Sequence, residues 1–226
     1  MKKVIFVLAA VVLTMGYAQA QFTFGVRAGL NLTNISEKYD GEKPSEDERG
    51  KFKPGFQVGV VGEYAISDAF AIQPGIVFAT QGARVKYSDT WAGEKEEFKA
   101  SLTLNYIQVP INAQYKLDLG GAKLLLQAGP YLGLGIGGKA KIEETYGGET
   151  KKDDYKIKFG SGTPDEDTTY VDNAFDFGLG IGAGLQFSNI QVGLGYNLGL
   201  ANMTDEDKSS SKNNGFALTV TYLFGK

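Results

Sequence analysis

Residues 175–201 read FDFGLGIGAGLQFSNIQVGLGYNLGLA, and this stretch decides the fold class. Every second residue is apolar on both sides of the Ser188-Asn189 pair, and most residues between the apolar ones are glycines or uncharged amides. A period of two is typical of β-strands whose two faces meet different surroundings. The short polar break predicts a tight turn, so the stretch is predicted to form an antiparallel hairpin.

The same alternation recurs along the chain and predicts eight strands, most of them long enough to cross a membrane at a tilt, which takes about 9–11 residues. An even number of antiparallel strands closes into a barrel without exposed edges, the form of β-structure that hydrocarbon tolerates. The sequence therefore predicts an all-β fold, an eight-stranded antiparallel transmembrane β-barrel. The predicted strands are residues 22–33, 52–64, 70–85, 101–117, 123–137, 175–187, 190–201 and 216–224.

The connections between the predicted strands are alternately short and long, which predicts an orientation. In bacterial outer-membrane barrels the short turns face the periplasm and the long loops face outside. We therefore expect a bacterial outer-membrane protein with both termini in the periplasm. The long polar segments are residues 35–51, 87–100, 139–173 and 202–214.

A secreted lipocalin-like barrel is the soluble alternative, since it also has eight strands. Such a barrel would place its apolar face around a ligand and a charged face in water. Here the second face of the strands consists mostly of glycine and uncharged amides, which suit a narrow interior. Aromatic residues also lie near the strand ends, as in the aromatic girdles of membrane barrels. These features favour the membrane interpretation.

The first twenty residues are predicted to be a cleavable export signal. Lys2 and Lys3 precede an apolar run over residues 4–15, and Ala18-Gln19-Ala20 has the small-x-small pattern of a cleavage site. The apolar run of about twelve residues is too short for a membrane-spanning helix, which needs roughly twenty. We therefore expect a signal peptide over residues 1–20 and one barrel domain over residues 21–226.

Composition bears on the chemistry of the chain. The sequence has no cysteine and no histidine, so it has neither a disulfide nor a lipid-modified cysteine, and no Ser-His-acid triad. Gly133-x-Gly135-x-x-Gly138 matches a dinucleotide fingerprint, but no helix is predicted after it. We expect no catalytic residues, no cofactor and no enzyme activity. The formal net charge of −3, about −5 after loss of Lys2 and Lys3, gives no reason to expect nucleic acid as a partner.

Three acidic runs are candidates for cation binding: residues 46–48, 165–167 and 205–207. Their spacing matches no calcium-binding loop. Charged, glycine-containing loops are common at protein surfaces. We interpret the runs as solvated loop segments and predict no metal site.

Strand parity predicts which charged residues face the interior. Arg27 and Glu63 fall on the inward face of neighbouring strands, Lys116 points inward near the periplasmic end, and Asp176 points inward near the outer end. A charge in a narrow lumen has to be paired or hydrated. We predict an ion pair between Arg27 and Glu63 that fills and rigidifies the interior, in preference to a gating role.

The segment SLTLNYIQVPINAQYKL, residues 101–117, departs from simple alternation. Its apolar phase includes Leu104 and Tyr106 and then moves to Ile107 and Val109. A one-residue slip reverses every later side chain, so the segment predicts a β-bulge near Tyr106-Ile107.

Glycine is concentrated on the inward face of the fifth to seventh predicted strands, whereas the first four contribute larger inward residues such as Gln73 and Gln108. In this pattern Leu179 faces lipid and Gly180 faces the lumen. An eight-stranded barrel is just wide enough for side chains to fill. We therefore predict that large groups from one wall pack onto the glycine wall, which leaves a closed interior with no ion path.

Several segments together resemble a known family. These are FGVRAGLNLTNIS at residues 24–36, the two-strand segment at residues 55–85, LNYIQVPINAQYKL at residues 104–117, AGPYLGLGIGGKAK at residues 128–141, and the C-terminal NNGFALTVTYLFGK. The chain is similar to the PorT-like outer-membrane β-barrel family over nearly all of residues 22–226. The Tyr-Ile-x-x-Pro element that begins at Tyr106 and the Gln73-Pro74 pair are the most specific parts. The resemblance implies fold and location far more than activity, and the founding type of the family is an accessory of a protein-secretion system.

The sequence leaves three functional interpretations open. The leading one is a non-catalytic barrel with a structural or surface-interaction role through four long outer loops. The second, implied by the family resemblance, is an accessory of an envelope protein-secretion complex, and the third is a narrow porin for ions or small solutes. Expected partners are outer-membrane lipid, lipopolysaccharide and the barrel-assembly machinery, with Tyr222 and Phe224 as the aromatic assembly signal.

Overall fold

The computed structural model describes residues 21–42, 44–45, 49–91 and 94–225. The predicted signal peptide and the acidic run at residues 46–48 lie outside the described residues. Among the described residues there is no helix long and apolar enough to cross a membrane. The strands are β1 (Phe22–Tyr39), β2 (Lys51–Ala65), β3 (Phe70–Trp91), β4 (Glu94–Asp118), β5 (Lys123–Tyr146), β6 (Glu149–Phe159), β7 (Thr168–Val171), β8 (Phe175–Phe187), β9 (Ile190–Gly199) and β10 (Ser209–Leu223).

Eight of these strands form a closed ring. β1 pairs with both β2 and β10, and β4 pairs with β5, so the order around the ring is β1-β2-β3-β4-β5-β8-β9-β10. Every pair in the ring is antiparallel. The predicted eight-stranded antiparallel barrel is confirmed. Closure leaves no unpaired edge within the ring, which is what hydrocarbon requires.

The two faces of the ring differ as the alternation predicts. In β8, Phe175, Phe177 and Leu179 are exposed on the outside, while Asp176 between them is only 2% exposed. Large apolar side chains are exposed in the same way on the outer surface of all eight ring strands. A continuous apolar exterior is unfavourable in water and is the surface that a bilayer covers.

The strands extend far beyond a membrane at one end only. Three short turns, at residues 66–69, 119–122 and 188–189, join strands at one end of the ring, which we call the turn end. At the other end, the loop end, β3, β4 and β5 run on. β4 has 25 residues and would be about 80 Å long if fully extended, more than twice the length of strand that crosses a bilayer.

This extension corrects the predicted outer loops. Residues 87–91 and 94–100 belong to paired parts of β3 and β4, and residues 139–173 contain the end of β5, all of β6 and all of β7. The segment 35–51 likewise contains the end of β1, and the segment 202–214 contains the start of β10. The sequence becomes polar where the apolar band ends, but the ladder of backbone hydrogen bonds between neighbours continues. The change from apolar to polar residues here marks the end of the membrane-facing band, and the strands continue beyond it.

We call the part beyond the ring the projecting sheet: residues 84–91 of β3, 94–103 of β4, 138–146 of β5, and β6. β6 pairs with β5 above the level at which β5 leaves β8. β7 pairs with the end of β6 in parallel. Among the described residues, the projecting sheet has two open edges, one along β3 and one along residues 149–155 of β6, the part that β7 does not cover.

An irregularity lies at the predicted position but on the opposite strand. The β4–β5 register shifts between Asn105 and Tyr106, which pair with Gly137 and Gly135 and so leave Ile136 of β5 as the extra residue. β4 itself keeps an unbroken register with β3 through this region. Alternation in β4 is therefore continuous, and Leu104 and Tyr106 face the interior.

Candidate functional site: the closed interior

The buried side chains of the interior form two groups, one polar and one apolar. Near the turn end lies a group of charged and amide side chains that we call the polar network. It consists of Arg27, Glu63, Gln73, Lys116, Gln186, Gln191 and Thr221. Near the loop end lies a group that we call the apolar plug, consisting of Ile35, Ala83, Leu104, Tyr106, Ile157 and Met203.

Glu63 is the centre of the polar network and is 1% exposed. Lys116 Nζ lies 2.6 Å from its Oε1 atom. Its Oε2 atom accepts hydrogen bonds from Gln191 Nε2 at 2.8 Å and from Gln73 Nε2 at 3.4 Å. A buried charge is tolerated when it is both paired and hydrogen-bonded, and Glu63 meets both conditions.

Arg27 lies in the same network with different partners. Its Nε atom donates to Thr221 Oγ1 at 3.0 Å, and its Nη2 atom donates to Gln73 Oε1. The amide nitrogen of Gln73 in turn donates to Glu63 and to Gln191. Gln73 thus accepts a hydrogen bond from the Arg27 guanidinium and donates one to the Glu63 carboxylate.

The structure pairs Glu63 with Lys116 and links Arg27 to Glu63 through Gln73, in place of the direct ion pair that the sequence predicts. The physical reason is register. Arg27 is opposite Gly59, and Glu63 is opposite Thr23, so the two charges are offset by four residues along the strands. Four residues correspond to about 13 Å. Parity identified the interior charges correctly, and the register decided their partners.

Asp176 faces inward below the plug, where its parity predicted it. Its Oδ2 atom accepts hydrogen bonds from Tyr131 Oη at 3.3 Å and from Asn213 Nδ2 at 3.2 Å. The same Asn213 nitrogen is 3.3 Å from Tyr106 Oη, which joins this group to the plug. Asp176 and Glu63 therefore have different partners and lie in separate clusters.

The apolar plug closes the loop end. Leu104 and Tyr106 are completely buried, and the ring of Phe159 packs edge-on against Tyr106 with centroids 5.6 Å apart. Tyr106 Oη also lies 3.6 Å from the sulfur of Met203. The members of the apolar plug come from four strands and from the segment after β9, so the plug brings distant parts of the chain into contact.

A small cavity lies between the two groups. Its volume is about 60 Å³, and its lining includes Gln57, Gln108, Gln127, Tyr131 and Asn197. A neighbouring cavity of about 10 Å³ shares Gln57, Gln108, Tyr131 and Asn197. Spaces of this size hold a few water molecules at most.

Backbone and side-chain atoms of adjacent strands lie close over the glycine face of β5, β8 and β9. A Cβ atom at Gly180 would lie 2.7 Å from Asn197 Oδ1, and one at Gly182 would lie 3.1 Å from Gln127 Nε2. Tyr106 of β4 also reaches this wall, since its Cδ1 atom would lie 3.5 Å from a Cβ at Gly133. All of these contacts come from strands that pair with the glycine-bearing strand, whereas the sequence predicts packing from the opposite wall.

Tyr222 and Phe224 lie at the turn end on the lipid-facing side. Both side chains are about half exposed, and their rings are in edge contact with centroids 5.3 Å apart. Phe22 and Phe24 form a similar pair at 4.7 Å. The aromatic residues fit a girdle at the membrane interface. Their role as an assembly signal stays a prediction.

The structure also places two of the acidic runs. Asp165 Oδ1 accepts a hydrogen bond from the backbone N–H of Asp167 at 3.0 Å, and this bond lowers the pKa of Asp165. Asp205 and Glu206 are exposed. Within the part of the chain that the structure describes, no group of three or more acidic side chains is arranged to hold a metal ion.

Sequence reasoning missed Leu104, Tyr106 and Asn213 as interior residues, and it placed Gln191 on the inward face without identifying its partners. A signal for the first two was present. Gln114 and Lys116 are inward-facing, and counting back from them in steps of two leads to Tyr106 and Leu104. Gln191 and Asn213 lie on the inward face of their strands, but their partners depend on contacts across the lumen that no local pattern encodes.

With the closed ring and the apolar exterior established, a sequence comparison supplies the family. The profile of the outer membrane protein beta-barrel domain matches residues 17–205. The chain belongs to this family. As a member of the outer membrane protein beta-barrel domain family, the protein is an integral β-barrel of the bacterial outer membrane. A search of curated proteins finds none that matches the chain.

Solved structures of outer-membrane proteins show distant likeness. Ail, the attachment invasion locus protein of Yersinia pestis, solved with the heparin analogue sucrose octasulfate, is 17% identical with a TM-score of 0.38, covering 90% of this chain and 99% of its own. Neisserial surface protein A is 15% identical with a TM-score of 0.38, covering 88% of this chain and 96% of its own. These TM-scores are too low to carry an argument.

Proposed function

We propose that this protein is a non-catalytic surface barrel, in which the ring anchors the chain in the membrane and the projecting sheet is displayed outside the cell. The observation that carries the proposal is the asymmetry of the strands. They end in tight turns at one end, whereas β3, β4 and β5 continue well past the apolar band at the other. This orientation places both termini in the periplasm.

The interior supports a role at the surface over a role in transport. The apolar plug buries Leu104 and Tyr106 at the loop end, and the polar network pairs Glu63 with Lys116 at the turn end. Ions cross membranes through polar, hydrated paths, and an apolar constriction opposes their passage. The narrow-porin alternative therefore has less support than surface interaction.

The secretion-accessory alternative, based on the PorT-like resemblance, can be weighed on its most specific residues. Tyr106 belongs to the apolar plug, and Gln73 is the bridge of the polar network. Both side chains are buried in the interior. Residues with these roles maintain the barrel and offer no surface to an envelope partner, so the resemblance supports the fold more than the secretion role.

Site-directed labelling tests the orientation. Because the chain has no cysteine, a single introduced cysteine reports one position. Thr150 lies at the far tip of the projecting sheet, and Asp68 lies in a short turn. Both side chains are exposed, so each position can carry a cysteine that a label reaches. A membrane-impermeant maleimide should label the Thr150→Cys variant on intact cells and the Asp68→Cys variant only after the outer membrane is opened. The reverse pattern would overturn the proposal.

Photo-crosslinking separates surface interaction from a secretion role. A photoreactive residue at position 150 should capture partners from outside the cell, and one at position 68 should capture little besides the assembly machinery. Stoichiometric capture of periplasmic or envelope proteins at position 68 would favour the accessory role. Loss of the captured partners after shortening the β5–β6 hairpin would identify the projecting sheet as the contact surface.

A further inference from the structure

Two lysines lie directly opposite each other on the outward face of the projecting sheet. Lys139 of β5 pairs in register with Lys156 of β6, and both side chains are exposed. The opposite face of the same hairpin packs inward, where Ile157 is buried. Like charges in directly opposed positions destabilise an antiparallel pair of strands. The pairing is therefore unfavourable unless something lies between the two ammonium groups.

The acidic residues on this face are already engaged. Asp154 is 3.2 Å from Lys141, and Glu143 is 3.1 Å from Lys152. Glu97 pairs with Lys86 and Lys99. Among the bases on the outward face of the projecting sheet whose side chains the structure describes, those left without an ion pair are Arg84, Lys139, Lys156 and Lys158.

Lys158 lies beside the opposed pair, two residues from Lys156 on the same face of β6. It is near enough to Asp165 to help lower the pKa of that carboxyl group, so its charge is partly engaged. Asp154 lies two residues from Lys156 on the same face of β6, but it is paired with Lys141. Lys139 and Lys156 are thus two directly opposed positive charges, with the nearby carboxylate on their face already engaged.

The pair lies at the level where lipid headgroups begin. Ile136 is 54% exposed and is the last outward-facing apolar residue of β5 before Lys139. Three residues of strand correspond to about 10 Å. Across β4, the residue opposite Lys139 is Thr103, a small uncharged residue that leaves room beside the lysine.

We propose that Lys139 and Lys156 bind a phosphate group of an outer-leaflet lipid of the lipid A type. A phosphate between the two ammonium groups accepts a charge-assisted hydrogen bond from each and replaces their repulsion with attraction. The acyl chains of the same lipid lie against the apolar wall that includes Ile136. This inference rests on the proposed orientation, which places the loop end in the outer leaflet.

Lipid binding to the purified full-length protein tests the proposal. The protein in an uncharged detergent is titrated with diphosphorylated lipid A, and bound lipid is measured by native mass spectrometry. Lys139→Gln/Lys156→Gln should weaken binding roughly tenfold. The matched control Lys38→Gln/Lys212→Gln removes two outward-facing lysines from the β1–β10 wall and should change binding less than about twofold. Unchanged binding in the first variant, or an equal loss in both, would overturn the proposal.

Two further measurements sharpen the test. Inorganic phosphate should not displace the lipid, since it lacks the acyl chains, and displacement would show a site for the free anion instead. Lys156→Glu should raise the Tm in uncharged detergent, because it replaces repulsion from Lys139 with an ion pair, and should abolish the stabilisation by lipid A. A lower Tm without lipid would overturn the argument from like-charge repulsion. Protein in detergent has no inside or outside, so failure here is distinct from failure of the cysteine-labelling test.

Discussion

The two halves of the barrel interior show different ways to fill one lumen. Near the turns, Glu63 and Lys116 lie 2.6 Å apart within a network of amide side chains. Near the loops, Leu104 and Tyr106 are fully buried among apolar neighbours. A polar network depends on the charge and hydrogen-bonding capacity of each member, whereas an apolar plug depends on volume. The two halves should therefore respond in opposite ways to changes of charge and of shape.

Removal of the central carboxylate should have the largest effect. Glu63→Ala leaves Lys116 buried without its ion pair, which typically costs about 3–5 kcal/mol. Reversible urea unfolding in lipid vesicles measures the loss in the free energy of unfolding. Adding Lys116→Ala should recover part of it, because no buried charge is then left unpaired. Simple additivity of the two losses would contradict the energetic coupling that their contact implies.

A cavity in the plug should have the next largest effect. Leu104→Ala should cost about 3 kcal/mol, through lost apolar contact and incomplete collapse of the space. Leu104→Met keeps the volume and should cost less than about 1.5 kcal/mol. By contrast Glu63→Gln, which also keeps the shape, should be clearly destabilising. If Glu63→Gln were the milder of the two shape-conserving changes, the contrast between the halves would fail.

The hydrogen bond between Thr221 and Arg27 should contribute a smaller amount. Thr221→Val keeps the shape but removes the acceptor of Arg27 Nε, a bond to a charged group worth about 1.5–3 kcal/mol. Thr219 is two residues away on the same strand, and its hydroxyl is 3.4 Å from the carbonyl oxygen of Gly193. Thr219→Val serves as the control and should cost less. Equal losses in unfolding experiments would show that the charge on Arg27 adds nothing.

The smallest expected effect is on conductance. The wild-type protein in planar bilayers should give no stable single-channel steps. Tyr106→Ala should also stay closed, because the polar network still fills the turn end below the plug. Reproducible steps from the wild-type protein would instead favour the narrow-porin interpretation. Steps that arise only in the Tyr106→Ala variant would show that the plug alone closes the barrel.

The sequence by itself determined the strands of the ring, the short turns between them and the face to which most residues point. These features are local, because alternation with a period of two and a polar break can be read within one hairpin. Alternation alone places Arg27, Glu63, Lys116 and Asp176 in the interior. The alternation also indicated which wall carries the glycines.

Only the tertiary structure decided which interior residues meet. The four-residue offset between Arg27 and Glu63 follows from register, and the bridge through Gln73 follows from ring closure, which brings β3 near β9 and β10. The plug was missed because Leu104 and Tyr106 were grouped with the other apolar residues of β4, and the change of phase was explained by a bulge. In the membrane an apolar side chain is stable on the lipid face and also in a packed interior, so hydrophobicity alone does not distinguish the two. Strand parity together with packing across the lumen distinguishes the lipid face from the interior, because it places Leu104 where lipid cannot reach.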